Sequence, residues 1–275
     1  KQKKNKKIFL IIDHPYADTK YLKEAKNISD YLLVYAVDHL RKRYYFGDII
    51  INQNYKASRN NIKAEKSALK LVGTKFILIR KNFLDLKKKY HKKNEIFANF
   101  GGSDNLDFSF KLLKLFESYI KNKQIKNIVL NIVVGPGYNN YNKLKKAAKR
   151  IKQIKVYNNP KNFNQIMVKS KMAIVAAGSI CWELAYLKIL GVVIAASKNQ
   201  ERVAQQLGND KYFFNINKKK LLSPNLILNK VKFIFKNYQD TMKTNKNKFS
   251  KLVDGKGVER IFYNIQRLII KKNLD

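Results

Sequence analysis

The chain has 275 residues, which is enough to bury a sizeable core and to form two modest α/β domains. Its formal net charge of +39 suggests nucleic-acid binding as one function. However, the basic residues are mostly lysines and are spread through almost every predicted helix. This distribution favours dispersed surface charge and no specific nucleic-acid partner. A single cysteine excludes an internal disulfide and fits a cytoplasmic protein, and we find neither metal-ligand spacing nor an apolar stretch long enough to span a bilayer.

The first third of the chain has the pattern of a parallel α/β domain. Short continuous apolar runs are typical of strands buried in parallel sheets. Such runs and one amphipathic stretch predict strands at 8–12, 31–37 and 48–51, an extended segment at 76–80 and a helix at 20–27. The lysine-rich stretch that follows is typical of an interdomain linker. We therefore predict a first domain over 1–81 and a linker over 82–93.

The rest of the chain alternates strands and helices regularly. Apolar runs predict six strands, near 96–100, 128–134, 155–157, 173–175, 192–195 and 212–214. This alternation indicates a doubly wound parallel sheet, followed by a helical tail over 226–270. We predict a second domain over 94–275. Because the first domain supplies only three or four strands and begins on a core strand, we expect it to be incomplete, with its first βα unit upstream of Lys1.

The turn after the strand at 173–175 is the part of the sequence most informative about function. Gly178 and Ser179 open a helix whose first amides lack partners and whose dipole favours an anion. Ser179 and Glu183 share one helix face, so a diphosphate on the amides would leave Glu183 at the adjoining ribose. The alternative is an ordinary Ser-capped helix with an exposed glutamate.

A second glycine turn follows the strand at 96–100. Gly101, Gly102, Ser103 and Asp104 lead into an amphipathic helix over 106–120. Ligands of open parallel sheets bind beyond the carboxyl ends of the strands, so turns that leave different strands can face one ligand. Two such turns in one sheet predict a nucleotide-binding site, although Asp104 alone is also compatible with a surface turn.

The cysteine and the histidines have simpler explanations than catalysis. No histidine is near Cys181 in the sequence, so a small buried residue is favoured over a nucleophile. His39 and His91 lie in basic segments and are expected to be exposed. His14 follows the first strand, where a place beside a sugar and a buried structural role are both compatible with the pattern.

Several motifs, taken in order along the chain, resemble those of one enzyme family. They are DH at 13–14, IINQNY at 50–55, GTKFILIR at 73–80, FGGSD at 100–104, GSICWE at 178–183, NQ at 199–200 and DGKGVER at 254–260. In these motifs the chain resembles the UDP-2,4-diacetamido-2,4,6-trideoxy-β-L-altropyranose hydrolases of pseudaminic acid biosynthesis and their spore-coat polysaccharide relatives. Those proteins have a glycosyltransferase GT-B fold and are related to the lipid II glycosyltransferase.

The resemblance implies both a fold and a reaction. A GT-B-like chain is α/β, with two Rossmann-like domains facing a cleft. The family's reaction removes UDP from an activated 2,4-diacetamido-trideoxy sugar by attack of water at the anomeric carbon with inversion. The free sugar is released for nonulosonic acid biosynthesis. The implied ligand is a UDP-sugar, and no cofactor or metal is implied.

The resemblance also implies a set of UDP- and sugar-binding residues. These are Gly101, Gly102, Ser103, Asp104, Gly178, Ser179, Glu183, Asn199 and Gln200. Without the resemblance, Asn199 is best explained as a helix cap. Asn52 and Asn54 are similarly compatible with simple turn formation.

The catalytic residue is not identified by the motifs. The family's catalytic histidine lies in a Gly-x-Gly-His-x-x-Arg turn, which does not occur in the 275 residues. The family commonly has Tyr directly after Asp-His, whereas here Pro15 separates His14 from Tyr16, which weakens the transfer of the family's activity. The catalytic residue is therefore unknown, with His14 and Tyr16 as candidates. A GT-B glycosyltransferase that uses a UDP-sugar is an alternative, because only the acceptor differs. A non-enzymatic nucleic-acid-binding protein would require a contiguous cationic face.

Overall fold

The structure is a computed structural model that describes residues 7–14, 16–35, 43–86, 90–216 and 224–274. It contains two compact units. The first unit consists of Lys1–Ile79 together with Asp254–Asp275, and the second unit consists of Arg80–Val253.

Strands and helices alternate along most of the described chain. The strands are β1 (Phe9–Ile12), β2 (Tyr31–Tyr35), β3 (Tyr44–Tyr45), β4 (Ile49–Asn52), β5 (Lys63–Ala64), β6 (Leu69–Val72), β7 (Lys93–Asn99), β8 (Val129–Val134), β9 (Ile154–Asn158), β10 (Ser170–Ala176), β11 (Leu190–Ile194) and β12 (Phe214–Ile216). The α-helices are α1 (Thr19–Asn27), α2 (Lys81–Leu84), α3 (Phe108–Lys121), α4 (Tyr141–Ala148), α5 (Phe163–Lys169), α6 (Ile180–Tyr186), α7 (Lys198–Asn209), α8 (Pro224–Lys236), α9 (Tyr238–Leu252) and α10 (Gly257–Leu274). Short 3₁₀ helices lie at Arg59–Asn61 and Thr74–Phe76.

The first unit is built on a four-stranded parallel sheet in the order β1-β2-β4-β6. Alternate residues of its central strands point to opposite faces, so a continuous apolar run supplies two cores. On one face, Leu32 and Ile50 pack with Leu22 of α1. On the other face, Leu33 and Ile49 belong to a cluster that includes Ile261 of α10. The helix at the end of the chain therefore belongs to the first unit.

A largely buried carboxylate joins three elements of the first unit. Asp48 accepts hydrogen bonds from Lys26 of α1 at 2.6 Å, from Lys272 of α10 at 2.7 Å and from the Leu32 amide of β2 at 2.8 Å. Burial alone would raise the pKa of Asp48, but the bonds from these donors outweigh it and hold the pKa below its ordinary value. The ionised form of Asp48 therefore stabilises the folded unit.

We expect Asp48→Asn to lower the free energy of unfolding by about 1–3 kcal/mol at neutral pH, because two ammonium groups lose their charged acceptor. A folded-state pKa below the unfolded value means that the stabilisation is fully present above pH 3.8 and is lost as the pH falls further. Denaturant titrations of both proteins at several pH values would measure this difference. The exposed Asp85→Asn is the matched control, and an equal loss in the two variants would contradict the assignment.

The second unit contains a six-stranded parallel sheet in the order β12-β11-β10-β7-β8-β9. The chain runs outward from β7 through β8 to β9 and then returns to β10 on the other side of β7. The strand order therefore reverses between β7 and β10, where Ala98 lies opposite Ile174. Ligands of doubly wound sheets bind beyond the carboxyl ends of the strands at such a reversal. The prediction of a doubly wound parallel sheet of six strands is confirmed.

The division into units differs from the predicted domain boundaries in two places. The stretch 254–275, predicted as part of the second domain, clusters with the first unit. Its helix α10 is amphipathic, and sequence periodicity does not indicate which of two sheets such a helix covers. In addition, the predicted linker 82–93 contains most of α2 and the first residue of β7, while 87–89 lie outside the described residues.

Two predicted strands and the predicted extended segment also differ in detail. The segment at 76–80 begins within the 3₁₀ helix Thr74–Phe76, because the Ile77 amide donates to the Thr74 carbonyl. The strand predicted at 212–214 starts later, since the Tyr212 amide still bonds Leu207 at the end of α7. The strand predicted at 31–37 ends at Tyr35, and its last two residues lie outside the described part. In the part of the chain that the structure describes, no helix is both long and apolar enough to cross a membrane.

Candidate functional site

A cavity of about 450 Å³ lies in the second unit at the carboxyl ends of β7, β8 and β10. This is the reversal in strand order at which ligands of doubly wound sheets bind, and the volume is that of a small-molecule site. It is lined by Arg80, Asn82, Asn99, Gly101, Gly102, Val133, Val134, Gly135, Asn159, Pro160, Lys161, Phe163, Ala176, Gly178, Ser179, Ile180, Glu183 and Gln200. Six of the nine predicted binding residues are therefore brought to one cavity.

Two glycine turns pack against each other on one side of the cavity. Gly101 has a φ of +96°, a conformation that favours glycine. Gly135 follows β8, and a Cβ atom placed on it would lie 2.5 Å from both the Cα and the carbonyl oxygen of Gly102. The Gly137 amide donates to that same carbonyl at 3.1 Å. The turn after β8 therefore holds the turn after β7 by direct backbone contact.

We expect Gly135→Ala to lower the free energy of unfolding by about 1–3 kcal/mol, the usual cost of overpacking, because its methyl group would overlap Gly102 backbone. Chemical denaturation would measure the change. Gly137→Ala is the matched control, since a Cβ there meets its nearest neighbour, the Gly102 carbonyl oxygen, at 3.4 Å. Equal stability of the two variants would show that the turns can separate without cost.

The turn after β10 leads into α6 on the opposite side of the cavity. The Ala177 amide donates to Ile194 of β11 at 2.9 Å, and the Gly178 amide donates to the Ala176 carbonyl at 2.8 Å. The Gly178 amide, predicted to face a diphosphate, is thus engaged within the turn itself. The Ser179 side chain is exposed and makes no capping hydrogen bond to the helix. Of these two residues, Ser179 is therefore the one with a side chain available to a ligand.

Glu183 is a buried carboxylate with a specific cationic partner. Its side chain lies on α6 and is 5% exposed. Arg80 donates to both of its oxygens, from Nε at 2.5 Å and from Nη2 at 2.7 Å. The guanidinium carbon also lies 5.0 Å from the ring centres of Phe83 and Phe163. This bidentate pairing neutralises a charge that would otherwise be costly to bury.

The remaining polar groups give the cavity a positive balance. Lys161 follows β9 and adds a second cation to that of Arg80, while Glu183 is the one acidic side chain among the described lining residues. The Gln200 side chain is held in place, because its Oε1 accepts from the Ala196 amide at 3.0 Å. Asn99 donates to the Val133 carbonyl at 2.8 Å and accepts from the Gly101 amide at 3.2 Å. An anionic ligand matches this arrangement of charge.

The other three predicted binding residues do not line this cavity. Asp104 is buried and caps α3, accepting from the Phe108 amide at 3.0 Å and the Ser109 amide at 2.7 Å. Desolvation by burial raises its pKa, although these bonds oppose the shift. Ser103 is exposed beside Gly137. Asn199 is also exposed and accepts from the Ser197 hydroxyl.

His14 and Tyr16 belong to the first unit, in the segment after β1. Both side chains are exposed, and His14 Nδ1 accepts from the Tyr16 amide at 3.2 Å.

Cys181 is fully buried, and desolvation raises its pKa to about 12. A thiol with that pKa is not a nucleophile at neutral pH. The interpretation of Cys181 as a small buried residue is confirmed, and so is the expected exposure of His91, whereas His39 lies outside the described residues.

Sequence reasoning missed several lining residues. Gly135 could have been found, because a Gly-Pro-Gly turn directly after a strand has the same signal as the two turns that were recognised. Arg80 ends the GTKFILIR motif at 73–80, but no local pattern links it to a carboxylate 103 positions away, and Lys161 lies in none of the motifs. Among the described residues, no group of three or more His, Cys, Asp and Glu side chains could hold a metal ion.

Comparison with known proteins gives distant relatives. No protein-family model matches the chain. It is 27% identical to an uncharacterised protein of Methanocaldococcus jannaschii in an alignment of 167 positions that covers 56% of this chain and 34% of that protein. It is 28% identical to the UDP-2,4-diacetamido-2,4,6-trideoxy-beta-L-altropyranose hydrolase of Campylobacter jejuni over 141 residues, which are 51% of this chain and 48% of that protein. The matches thus span about a third and about half of these relatives.

Solved structures with a similar fold include glycosyltransferases. MurG of Acinetobacter baumannii has a TM-score of 0.60 at 12% identity, over 94% of this chain and 73% of that chain. The pneumococcal O-GlcNAc transferase GtfA, solved with UDP and GlcNAc, has a TM-score of 0.58 at 9% identity, over 95% of this chain and 57% of that chain. Together with the parallel sheets of both units, these likenesses show that the chain has a GT-B fold, as predicted.

Proposed function

We propose that this chain belongs to an enzyme that binds a UDP-sugar in the cavity of the second unit and hydrolyses it at the anomeric carbon. The observation that carries the proposal is the cavity itself. It lies at the reversal in strand order, is bounded by three glycine turns, and brings the buried Glu183 and its partner Arg80 together with Lys161. The 28% identity to a UDP-diacetamido-sugar hydrolase supports hydrolysis of that class of substrate.

The diphosphate and the ribose of UDP each have proposed partners in the cavity. The diphosphate lies near Ser179 and the turn at Gly101 and Gly102, with Arg80 and Lys161 balancing its charge. The ribose hydroxyls donate to Glu183. A carboxylate has about four lone-pair sites, so Glu183 can accept from a ribose while it remains bonded to Arg80.

The proposed reaction is an inverting displacement. Water attacks the anomeric carbon, the bond from that carbon to the diphosphate oxygen breaks, and UDP leaves with the bonding electrons. Arg80 and Lys161 stabilise the negative charge that develops on the leaving diphosphate. The group that takes the proton from water is not among the polar groups of the cavity, and His14 and Tyr16 remain the proposed candidates within this chain.

A glycosyltransferase is the second candidate, and the fold likeness to MurG and GtfA favours it. The same cavity would hold the same UDP-sugar, and the acceptor would be an alcohol in place of water. Both candidates predict the same nucleotide contacts, so substitutions in the cavity do not separate them.

The test is to incubate the protein with a UDP-2,4-diacetamido-trideoxy sugar, with and without an alcohol acceptor. Free sugar and UDP that appear in water alone would support hydrolysis. Proton NMR of the first-formed anomer would show whether the anomeric configuration is inverted. UDP release only after an acceptor is added would favour the transferase. Calorimetry that detects no UDP binding would contradict both.

A further inference from the structure

A second cavity, of about 780 Å³, lies at the other end of the sheet of the second unit. Its lining includes Leu190 and Gly191 at the start of β11 and Phe214 at the start of β12. All six strands are parallel, so these amino ends lie at the edge opposite the carboxyl ends that form the first cavity. Helices α8 and α9 close its other sides. The second cavity is therefore a separate site within the same unit.

Aromatic side chains provide much of its apolar surface. Tyr212, Phe213 and Phe214 come from the turn and strand after α7, and Phe233 comes from α8. The rings of Phe214 and Phe233 meet edge to face at 6.0 Å, and Phe233 is 46% exposed. A large apolar side chain left in an open cavity favours an occupant with an apolar body.

The charged groups of the second cavity are mainly cationic. Lys211, Lys230 and Lys248 line it together with one carboxylate, that of Asp240. Lys230 Nζ lies 4.4 Å above the ring centre of Phe214, at the boundary between the cationic and aromatic surfaces. Within the described part of the chain, none of these three ammonium groups forms an ion pair. The excess of two positive charges beside aromatic rings is complementary to an anion.

We propose that the second cavity binds an organic anion whose apolar body packs on Phe214 and Phe233 and whose acidic group is bound by Lys230, with Lys211 and Lys248 nearby. Its volume is within the range of sites for small organic molecules. The amide and hydroxyl side chains of α9, such as Thr241 and Asn245, provide further polar contacts. This site does not depend on the proposed function, because it shares no lining residue with the first cavity.

The test uses 8-anilinonaphthalene-1-sulfonate, an aromatic sulfonate whose fluorescence rises in apolar surroundings. We expect one saturable site per chain. Its affinity should fall by about three- to tenfold in Lys230→Gln, as expected when a partly exposed charged partner is lost. Lys232→Gln is the matched control, since Lys232 lies on the exposed side of α8 and outside the cavity. Phe233→Ser should weaken the same site, and because Phe233 is partly exposed this variant is expected to fold.

Two further arms identify the site and the type of ligand. The uncharged N-phenyl-1-naphthylamine should bind Lys230→Gln and the unchanged protein equally, because it has no acidic group. UDP should not displace the fluorescent sulfonate. Displacement by decanoate would support an aliphatic acid as the ligand, and displacement by naphthalene-1-sulfonate alone would support an aromatic acid.

Three results would overturn the proposal. The first is equal affinity of the sulfonate for the Lys230→Gln and Lys232→Gln proteins. The second is displacement of the sulfonate by UDP, which would place it in the first cavity. The third is failure of both decanoate and naphthalene-1-sulfonate to compete. None of these results bears on UDP hydrolysis, so the failure of this proposal is distinguishable from failure of the proposed function.

Discussion

Calorimetric titration of the Glu183→Gln protein with UDP should give a dissociation constant about ten- to a hundredfold higher than that of the unchanged protein. This corresponds to about 1.5–3 kcal/mol, the contribution of a hydrogen bond to a charged group. Glutamine keeps the size of the buried side chain, so no cavity is created. It removes the negative charge and one acceptor oxygen, so the side chain can no longer accept both from Arg80 and from two ribose hydroxyls.

The control for this prediction is Glu117→Gln on α3. Glu117 also bonds two cations, Lys114 at 2.9 Å and Lys121 at 3.1 Å, but it lies outside the cavity. Its UDP affinity should not change. The Arg80 side chain is 56% exposed, so in Glu183→Gln its freed donors can be hydrated and the protein should remain folded. Unchanged UDP affinity in a folded Glu183→Gln protein would disprove the ribose assignment.

The sheet of the second unit was predictable because its strands carry a strong local signal. Five of its six strands contain short apolar runs, which Asn131 interrupts in β8 and Lys155 in β9, and the regular alternation with helices specifies a parallel sheet. The predicted strand at 212–214 began two residues before β12, because the apolar side chains of Tyr212 and Phe213 belong to the turn that closes α7. An apolar pattern shows which residues are buried, but not where the ladder of hydrogen bonds begins.

Non-local packing was the main limit on predicting the units. Helix α10 has the apolar periodicity of any surface helix, and the cluster in which it packs includes Leu33 and Ile49, more than 200 positions away in the sequence. The Asp48 cluster, which bonds Lys272, is equally remote in sequence. Only the folded chain brings such groups together.

Two of the three glycine turns of the candidate site were predicted from the sequence, but only some of its side chains were. Glycine turns after strands are local signals, and Gly101, Gly102 and Gly178 all line the cavity. Asp104 does not line the cavity, and its sequence position did not indicate this, because an aspartate after a glycine turn is equally suited to binding a ligand and to capping the next helix. In the structure both of its carboxylate oxygens bond α3 amides. Arg80 shows the converse, since it ends the GTKFILIR motif at 73–80 but nothing local predicts its bond to Glu183.

Turnover is where we expect the largest effect. Positioned acid–base catalysis typically contributes about 10²–10⁴-fold to a reaction of this kind. No described residue that lines the first cavity is a histidine, and its one carboxylate, Glu183, is already bound by Arg80. The Gly-x-Gly-His-x-x-Arg turn of the hydrolases that the chain resembles does not occur in its 275 residues. This chain should therefore bind UDP but release it from a UDP-sugar slowly.

The comparison is with a version joined to an upstream βα unit that carries such a histidine turn. Release of UDP from the same UDP-2,4-diacetamido sugar would be followed for both proteins, and the extended version should be about 10²–10⁴-fold faster at equal UDP affinity. Replacing only its turn histidine with alanine should return the rate to that of the present chain, which separates proton transfer from any effect of added length. Equal rates before that replacement would contradict the prediction. They would identify a base within this chain, and His14→Ala and Tyr16→Phe would then show which side chain activates the water.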